Sequence, residues 1–393
     1  MTVKSKPKTK HKKIRKRSLR KPFFKLTSIA TCIAIFLIVI IGGFYLLLRV
    51  NQTFAANFAD NVLRPRIGNQ ATIYIESVFF GIEDNVNRVK YSFVKANPSE
   101  LSQNYTVTNA SVERSVGFNL AKITSLAYFP FFPGEGEWNQ IYSGTMGALM
   151  AKTFVRPDSK RSYAIVYLVE MNMNNLVLSA VAGTKEPGGA NSPGPGKIPL
   201  AVQQSNLLVA AFNGGFQEKD GYYGMVVNGK TYLPLQKNLA TLIIYNNTKP
   251  KIIDYTGQDL GKNVVAVRQN GPLLLKNSKD VTSSSAWDMQ TWGLTTTNSM
   301  YTWRSGIGIT SNGNLIYAAG PSLVPQTLAA ALKAAGAANA MQLDINPVWV
   351  RFMIFNSLGN GKYKYYSLSS DMTNGGYQDL TGYQKDFFYL LEK

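Results

Sequence analysis

The sequence predicts an α+β (mixed α/β) extracytoplasmic domain rich in short strands, preceded by one transmembrane helix and a helical stalk. Three observations carry this expectation. Leu26 to Leu48 is an uncharged, mainly apolar run between Lys25 and Arg49. Ile75, Val78, Ile82, Val86, Val89 and Phe93 recur at spacings of three and four, which puts them on one helix face. From Tyr163 onward, short β-branched and aromatic runs separated by Gly and Pro replace that period.

The apolar run comes first. Its 23 residues, as a helix, span roughly 35 Å at about 1.5 Å per residue. That covers a hydrocarbon core of roughly 30 Å. A cleaved signal has an apolar region of only ~7–15 residues, and no clean small-x-small site follows Leu48. Residues 1–25 hold 12 of the 42 Lys and Arg and no Asp or Glu. Such asymmetry puts a basic tail (1–25) in the cytoplasm, the span at 26–49 in the cell membrane, and the rest outside. The tail lacks interleaved aromatics before Phe23. It reads as a topogenic signal lying on anionic headgroups, not as a nucleic-acid arm.

Composition then narrows the chemistry. Of 393 residues, 45% are hydrophobic, enough for a sizeable core. Cys32 and His11 are the sole residues of their kinds, and both precede residue 50. The outer part therefore has no disulfide, no Cys- or His-ligated metal and no Ser-His-Asp or Cys-His dyad. Carboxylates, Arg, Lys, Tyr, hydroxyls and amides remain. No cofactor is implied, and no spacing demands a metal. Beyond the tail, 30 basic residues against 22 acidic ones leave +8 of the formal +20. That charge suits an anionic partner.

Residues 50–160 read as a stalk and N-terminal region. The stretch 51–68 is juxtamembrane, broken at Pro65 and Gly68. The helix that follows ends at Asn97-Pro98. Its apolar face packs either on the main domain or on a second copy, so residues 70–94 offer an oligomer contact. The aromatic run Tyr128 to Pro133 suits a buried wedge, with a sugar-stacking surface as the alternative. Residues 161–393 form the second region. Strands are expected near 164–170, 176–181, 207–212, 224–227, 240–245, 263–268, 306–310 and 314–318. Thr184 to Pro199 is a long Gly/Pro-rich loop, a type that is often functional. A helix from Val324 to Ala335, with Pro325 in its first turn and Gly336 after its end, leads to Ala340–Asp344 as a late β-α-β unit.

Four segments carry candidate chemistry, each with an architectural alternative. Asn213-Gly214-Gly215 follows a strand. It suits close ligand approach or simply a hairpin turn. Asn270-Gly271-Pro272 is similar. Arg304 precedes Gly306-Ile-Gly308 and suits a phosphate clamp or a surface ion pair. Asp344, with Asn346 two residues on, ends a strand where α/β sheets bind ligands, or serves as a turn residue.

Their order resembles the phosphodiester glycosidase family. The series is AAFNGGF, QNGPLL, RSGIGIT with SNGNL, a helix ending LKAAGA, then MQLDIN, over roughly Ser162 to Lys393. The resemblance implies that Asn213, Gly214, Arg304 and Asp344 line the site. Where the family has a Gly-Gly-Gly-Ser run after the Asp, this chain has Ile345-Asn-Pro-Val348 and Trp349. Its basic tail, single span and terminal Lys385-Asp-Phe-Phe388 resemble a bacterial membrane-anchored subgroup. The implied activity is hydrolysis of a sugar-1-phosphodiester in an envelope glycan. Asp344 would support the reacting centre, Arg304 would hold phosphate, and Asn213 and Asn346 would orient the sugar. Asn270, Glu218 and Asp220 complete the expected substrate contacts. The competing reading is a non-catalytic glycan-binding or envelope-assembly module using the same cleft.

Overall fold

The computed structural model describes Met1, Thr31, Ile35, Phe36, Val39 and residues 42–96, 120–144, 147–189, 192–246, 249–282, 300–372 and 375–393. It divides into Met1–Phe58 and Ala59–Lys393. About half of the run Leu26–Leu48 falls outside the described residues. Among the described residues no helix is long and apolar enough to cross a membrane. The first unit ends in helix α1 (Gln52–Phe58), where Phe54 stacks on Phe58 at 6.1 Å.

The second unit opens with a π-helical turn (Ala59–Leu63) and helix α2 (Arg64–Phe93). Pro65 sits in the first turn of α2, where its missing N–H leaves nothing unpaired, so it starts the helix instead of breaking it. Gly68 does interrupt the helix, at φ +80°. Of the two expected packings of the apolar face, on the main domain or on a second copy, the described residues of the main domain do not supply the first. Ile75, Val78, Ile82, Val86, Val89 and Phe93 are exposed, from 38% at Val86 to 85% at Phe93. The opposite face docks instead. Asp84 takes Arg161 Nε at 2.8 Å, Arg161 Nη2 at 2.7 Å and the Tyr163 hydroxyl at 2.9 Å. Tyr91 stacks on Tyr163 at 4.9 Å. The expected stop at Asn97-Pro98 lies outside the described residues.

The strands follow in chain order. They begin with β1 (Asn139–Gly144), β2 (Gly147–Val155), β3 (Val166–Met171) and β4 (Leu176–Val181), which lead to helix α3 (Leu200–Ser205). Next come β5 (Leu208–Asn213), β6 (Met225–Val227), β7 (Lys230–Leu233), β8 (Leu239–Tyr245) and β9 (Lys251–Tyr255). They continue with β10 (Val264–Gln269), β11 (Leu273–Lys276), β12 (Lys279–Asp280), β13 (Thr302–Thr310) and β14 (Leu315–Leu323). Helix α4 (Pro325–Ala334) precedes β15 (Ala337–Ile345), β16 (Phe352–Gly359) and β17 (Lys362–Ser367). Helix α5 (Tyr377–Thr381) and β18 (Phe387–Glu392) close the chain. This is a mixed α+β domain of many short strands.

Three antiparallel sheets result. The first has the order β1-β2-β3-β14-β13-β15-β11-β12, the second β17-β16-β5-β18-β4 and the third β7-β6-β10-β8-β9. β1 and β2 precede residue 161 yet extend the same sheet as β3. β14 and β15 both run antiparallel to β13, so α4 crosses over β13 between two parallel strands. This is the expected β-α-β unit.

Burial explains the layering. In β3, Val166 and Leu168 face α4, while Tyr167, Val169 and Met171 face the core shared by all three sheets. The alternation follows the two-residue period of a strand. Thr327 Oγ1 receives the Val324 N–H at 3.0 Å and so caps α4. Leu328 and Leu332 of α4 then lie where a Cβ on Gly306 would meet them, at 3.1 and 3.2 Å. The Gly306-Ile-Gly308 pattern thus lets a helix approach its sheet. A smaller cluster under the second sheet joins Ile198, Phe355, Tyr383 and Phe387.

The docking of α2 depends on Asp84. Burial raises its pKa, but hydrogen bonds from Arg161 and Tyr163 outweigh that and hold it below the ordinary carboxylate value. A depressed carboxylate stabilises the fold above its unfolded pKa, and that contribution disappears as pH falls. We expect Asp84→Ala to cost about 3 kcal/mol at neutral pH by leaving Arg161 buried without this partner. The deficit should shrink in acid, which urea unfolding at several pH values measures.

Candidate active site

The site lies where the three sheets meet. β5 ends at Asn213 in the second sheet, β10 carries Arg268 in the third, and β15 ends beside Asp344 in the first. Asp386, just ahead of β18, joins them. Its carboxylate receives Arg268 Nε at 2.8 Å, Arg268 Nη2 at 3.2 Å and the Gly215 N–H at 3.1 Å. The Gly214 N–H donates to the Asp386 carbonyl at 3.0 Å. Arg268 uses its remaining donors on the carbonyls of Phe216, Tyr223 and Gln269. A Cβ on Gly214 would collide with the Asp386 carboxylate. Asn213-Gly214-Gly215 is therefore neither a hairpin turn nor an open ligand loop. It is a backbone clasp around a buried anion, and the glycines allow the close approach.

This clasp fixes Lys385, the residue before Asp386. Lys385 Nζ donates to Asp344 Oδ2, joining the segment ahead of β18 to β15. Asp344 Oδ1 accepts the Ile345 N–H at 2.9 Å. Both side chains are only 4% exposed. The Lys385 ammonium also lies 4.8 Å from the centre of the Trp349 ring. Burial pushes the Asp344 carboxyl up to about 6. The charge and hydrogen bond of Lys385 oppose that rise, and Asp386 adds to it. Burial opposes the Lys385 charge, yet Asp344 still holds its pKa above the ordinary lysine value.

Asp344, Asn213 and Asn270 come together in one hydrogen-bonded network. Ser305 Oγ bridges the first two: it receives Asn213 Nδ2 at 2.9 Å and the Asp344 N–H at 3.1 Å, and donates to the Asp344 carbonyl. Asn213 has a full set of internal bonds, since Nδ2 also reaches the Gly214 carbonyl and Oδ1 receives the Tyr317 hydroxyl and the Arg351 N–H. Asn270 donates to the carbonyls of Gln342 and Leu343 and accepts the Phe216 N–H. Both asparagines act here as braces. Asn346 stands at the rim with φ +83°. Its Oδ1 takes the Val348 N–H at 3.1 Å, and among the described residues its Nδ2 meets no hydrogen-bond partner.

Arg304 goes elsewhere. Arg304 pairs with Ile345 and Gly306 with Gln342, so one residue of β13, Ser305, stands against two of β15, Leu343 and Asp344. Such a bulge reverses the alternation and turns Asp344 away from the Gln342 face. Arg304 stays on that face and donates to the Leu323 carbonyl at 2.9 Å, Gln342 Oε1 at 3.0 Å and the Met300 carbonyl at 3.2 Å. Burial lowers its pKa to about 9. The cation beside Asp344 is Lys385.

The Thr184–Pro199 loop supplies a third carboxylate. Its backbone pairs with Tyr383 and Gln384, through Thr184 N, Lys185 N and Glu186 N. Buried Glu186 accepts the Glu218 N–H at 2.8 Å. Its pKa is raised, first by burial and then by Asp386, against the pull of the Glu218 N–H and Lys385. Glu218 thus borders the site. Asp220 turns away and pairs with Arg64 Nη1 of α2 at 3.3 Å. Of the aromatic run, Phe132 wedges under Arg156 at 3.9 Å, while Tyr128 and Phe131 are exposed. Among the described residues no group of three or more His, Cys, Asp or Glu side chains is placed to hold a metal ion.

Residues 206–344 match the phosphodiester glycosidase family. The matched stretch runs from just before β5 to Asp344, and the chain resembles that family. No curated protein matches the chain. Among solved structures, it is similar to the catalytic domain of zebrafish N-acetylglucosamine-1-phosphodiester alpha-N-acetylglucosaminidase, auto-inhibited by its pro-peptide. Identity there is 15%, with 65% of this chain and 88% of the other covered, at a TM-score of 0.41. A hypothetical protein from Synechocystis is 13% identical over 62% of each chain, with a TM-score of 0.34. An exported protein from Burkholderia pseudomallei is 11% identical over 58% of this chain and 74% of its own, with a TM-score of 0.27. At these values the likenesses carry no residue correspondence.

Lys385, Asp386, Glu186, Arg268 and Ser305 were not among the residues expected at the site. Lys385-Asp386 leading into the last apolar run was the available signal. The pairing of Lys385 with Asp344 generates a prediction. We expect Lys385→Met to cost about 3 kcal/mol at pH 8, where Asp344 would be left a buried, uncompensated carboxylate. The cost should fall at pH 5, where Asp344 takes up a proton. Urea unfolding followed by tryptophan fluorescence would reveal a pH-independent cost if the pair did not exist.

Proposed function

We propose that this chain is a membrane-anchored extracytoplasmic phosphodiester glycosidase, hydrolysing a sugar-1-phosphodiester in a cell-envelope glycan. The family match supports a glycosidase-type hydrolase. The observation that carries the finer reading is the buried Asp344–Lys385 pair, assembled from distant parts of the chain. The span at 26–49 and the outward placement rest on the apolar run and its basic flank.

The reaction needs little else. Breaking the anomeric C–O bond develops oxocarbenium character on the sugar. The phosphate leaves with the electron pair and is stable as an anion, so no strong acid is required. Water bonds to the anomeric carbon and gives up its proton. As a carboxylate, Asp344 stabilises the positive centre or takes that proton. Lys385 has donors beyond the one on Asp344 and can turn them to a phosphate oxygen. Asn346 Nδ2 at the rim suits a sugar hydroxyl. The runner-up is a non-catalytic glycan-binding module, favoured by the deep burial of both members of the pair.

The test is release of free sugar by the full chain from UDP-GlcNAc and from a GlcNAc-1-phosphodiester. We expect wild type to release sugar and Asp344→Asn to fall by about 100-fold or more, the usual scale for loss of a positioned acid–base group. Equal release by both proteins would remove Asp344 from the chemistry. No release by a folded wild type from either substrate would favour the binding module. The active form is the carboxylate, so kcat/KM should rise as pH rises through about 6, following Asp344. Lys385→Gln should move that limb to higher pH, because the lysine charge lowers the Asp344 pKa.

A further inference from the structure

We infer that the exposed stripe on α2 is the contact between two copies of this chain, paired in parallel through residues 75–93. The inference is independent of the glycosidase reading. It begins with geometry. At about 100° per residue, Ile75, Val78, Ile82, Val86, Val89 and Phe93 fall within roughly 40° of one direction. Asp84 and Tyr91, which hold the helix to its own domain, and the buried Ile73 lie about 180° from that direction. The described residues of the domain therefore leave the stripe uncovered while α2 stays docked. Each stripe residue is at least 38% exposed.

The spacing points to a second copy of the same helix. Positions 75, 78 and 82 recur eleven residues later as 86, 89 and 93. Eleven residues in three turns is close to the natural period of a helix, so the stripe runs nearly straight along one edge. Two such edges match each other in register when the helices are parallel. The six side chains offer roughly 600 Å² per helix, so a pair buries about 1,200 Å², in the range of specific interfaces.

The experiment is light scattering on the detergent-solubilised full chain, corrected for detergent. We expect twice the mass of one chain, and a two-fold drop for the combined Ile82→Glu and Val86→Glu variant with its melting midpoint unchanged. In a Cys32→Ser background, Val86→Cys should cross-link to itself under mild oxidation, whereas Ser77→Cys on the docked side should not. A wild-type monomer would overturn the inference, and so would a double variant that keeps the two-fold mass. A monomer that binds anionic lipid vesicles, and loses that binding in the double variant, would assign the stripe to a membrane surface instead.

Discussion

The Arg268–Asp386 pair is the constraint on which the rest of the site depends. Both side chains are essentially out of solvent. Neither charge is tolerable there alone, so both must find partners as the chain folds. Arg268 comes from the third sheet, and Asp386 from just ahead of β18, which lies between β5 and β4 in the second. Their union pulls the Asn213-Gly214-Gly215 backbone into a clasp and fixes the path of the chain at 385–386. Lys385 then reaches Asp344 in the first sheet as a consequence. A structural ion pair places the ion pair that we assign to chemistry.

Electrostatics at the centre follow from this layout. Asp344, Asp386 and Glu186 bring three carboxylates near one ammonium and one guanidinium. Arg268 is committed to the Asp386 carboxylate and to three backbone carbonyls. That leaves Lys385 to answer both Asp344 and Glu186. Burial raises both acids, and Asp344, pushed up to about 6, makes the site receptive to protons in mildly acidic conditions. A lysine suits this position because its ammonium is a compact point charge with rotatable donors, unlike the fixed fork of an arginine.

Much of the architecture was legible in the sequence, for identifiable reasons. The strand at 176–181 and the helix after Val324 were marked by β-branched runs, by Pro at a first turn and by Gly after an end. β1 and β2 were not, because Asn139–Val155 mixes polar and small residues and gains its order from pairing with β3. β16 to β18 were obscured by aromatic runs that strand and core share. The stripe on α2 was visible, but its direction was not: periodicity shows that a face exists, and only the bonds of Asp84 to Arg161 and Tyr163 fix which side docks. At the site, Asp344 stood out by its place at a strand end. Arg304 misled for a local reason, since a bulge of one residue in β15 turns neighbouring side chains to opposite faces. Lys385 and Glu186 are far from Asp344 in sequence, and no local pattern announces a pairing between sheets.

The most direct measurement is a crystal structure of the protein with a sugar-1-phosphate bound. The account predicts a phosphate oxygen within hydrogen-bonding distance of Lys385 Nζ, with the anomeric carbon beside the Asp344 carboxylate. A phosphate seated on Arg304, with Lys385 still closed on Asp344 and no ligand atom near either, would contradict it.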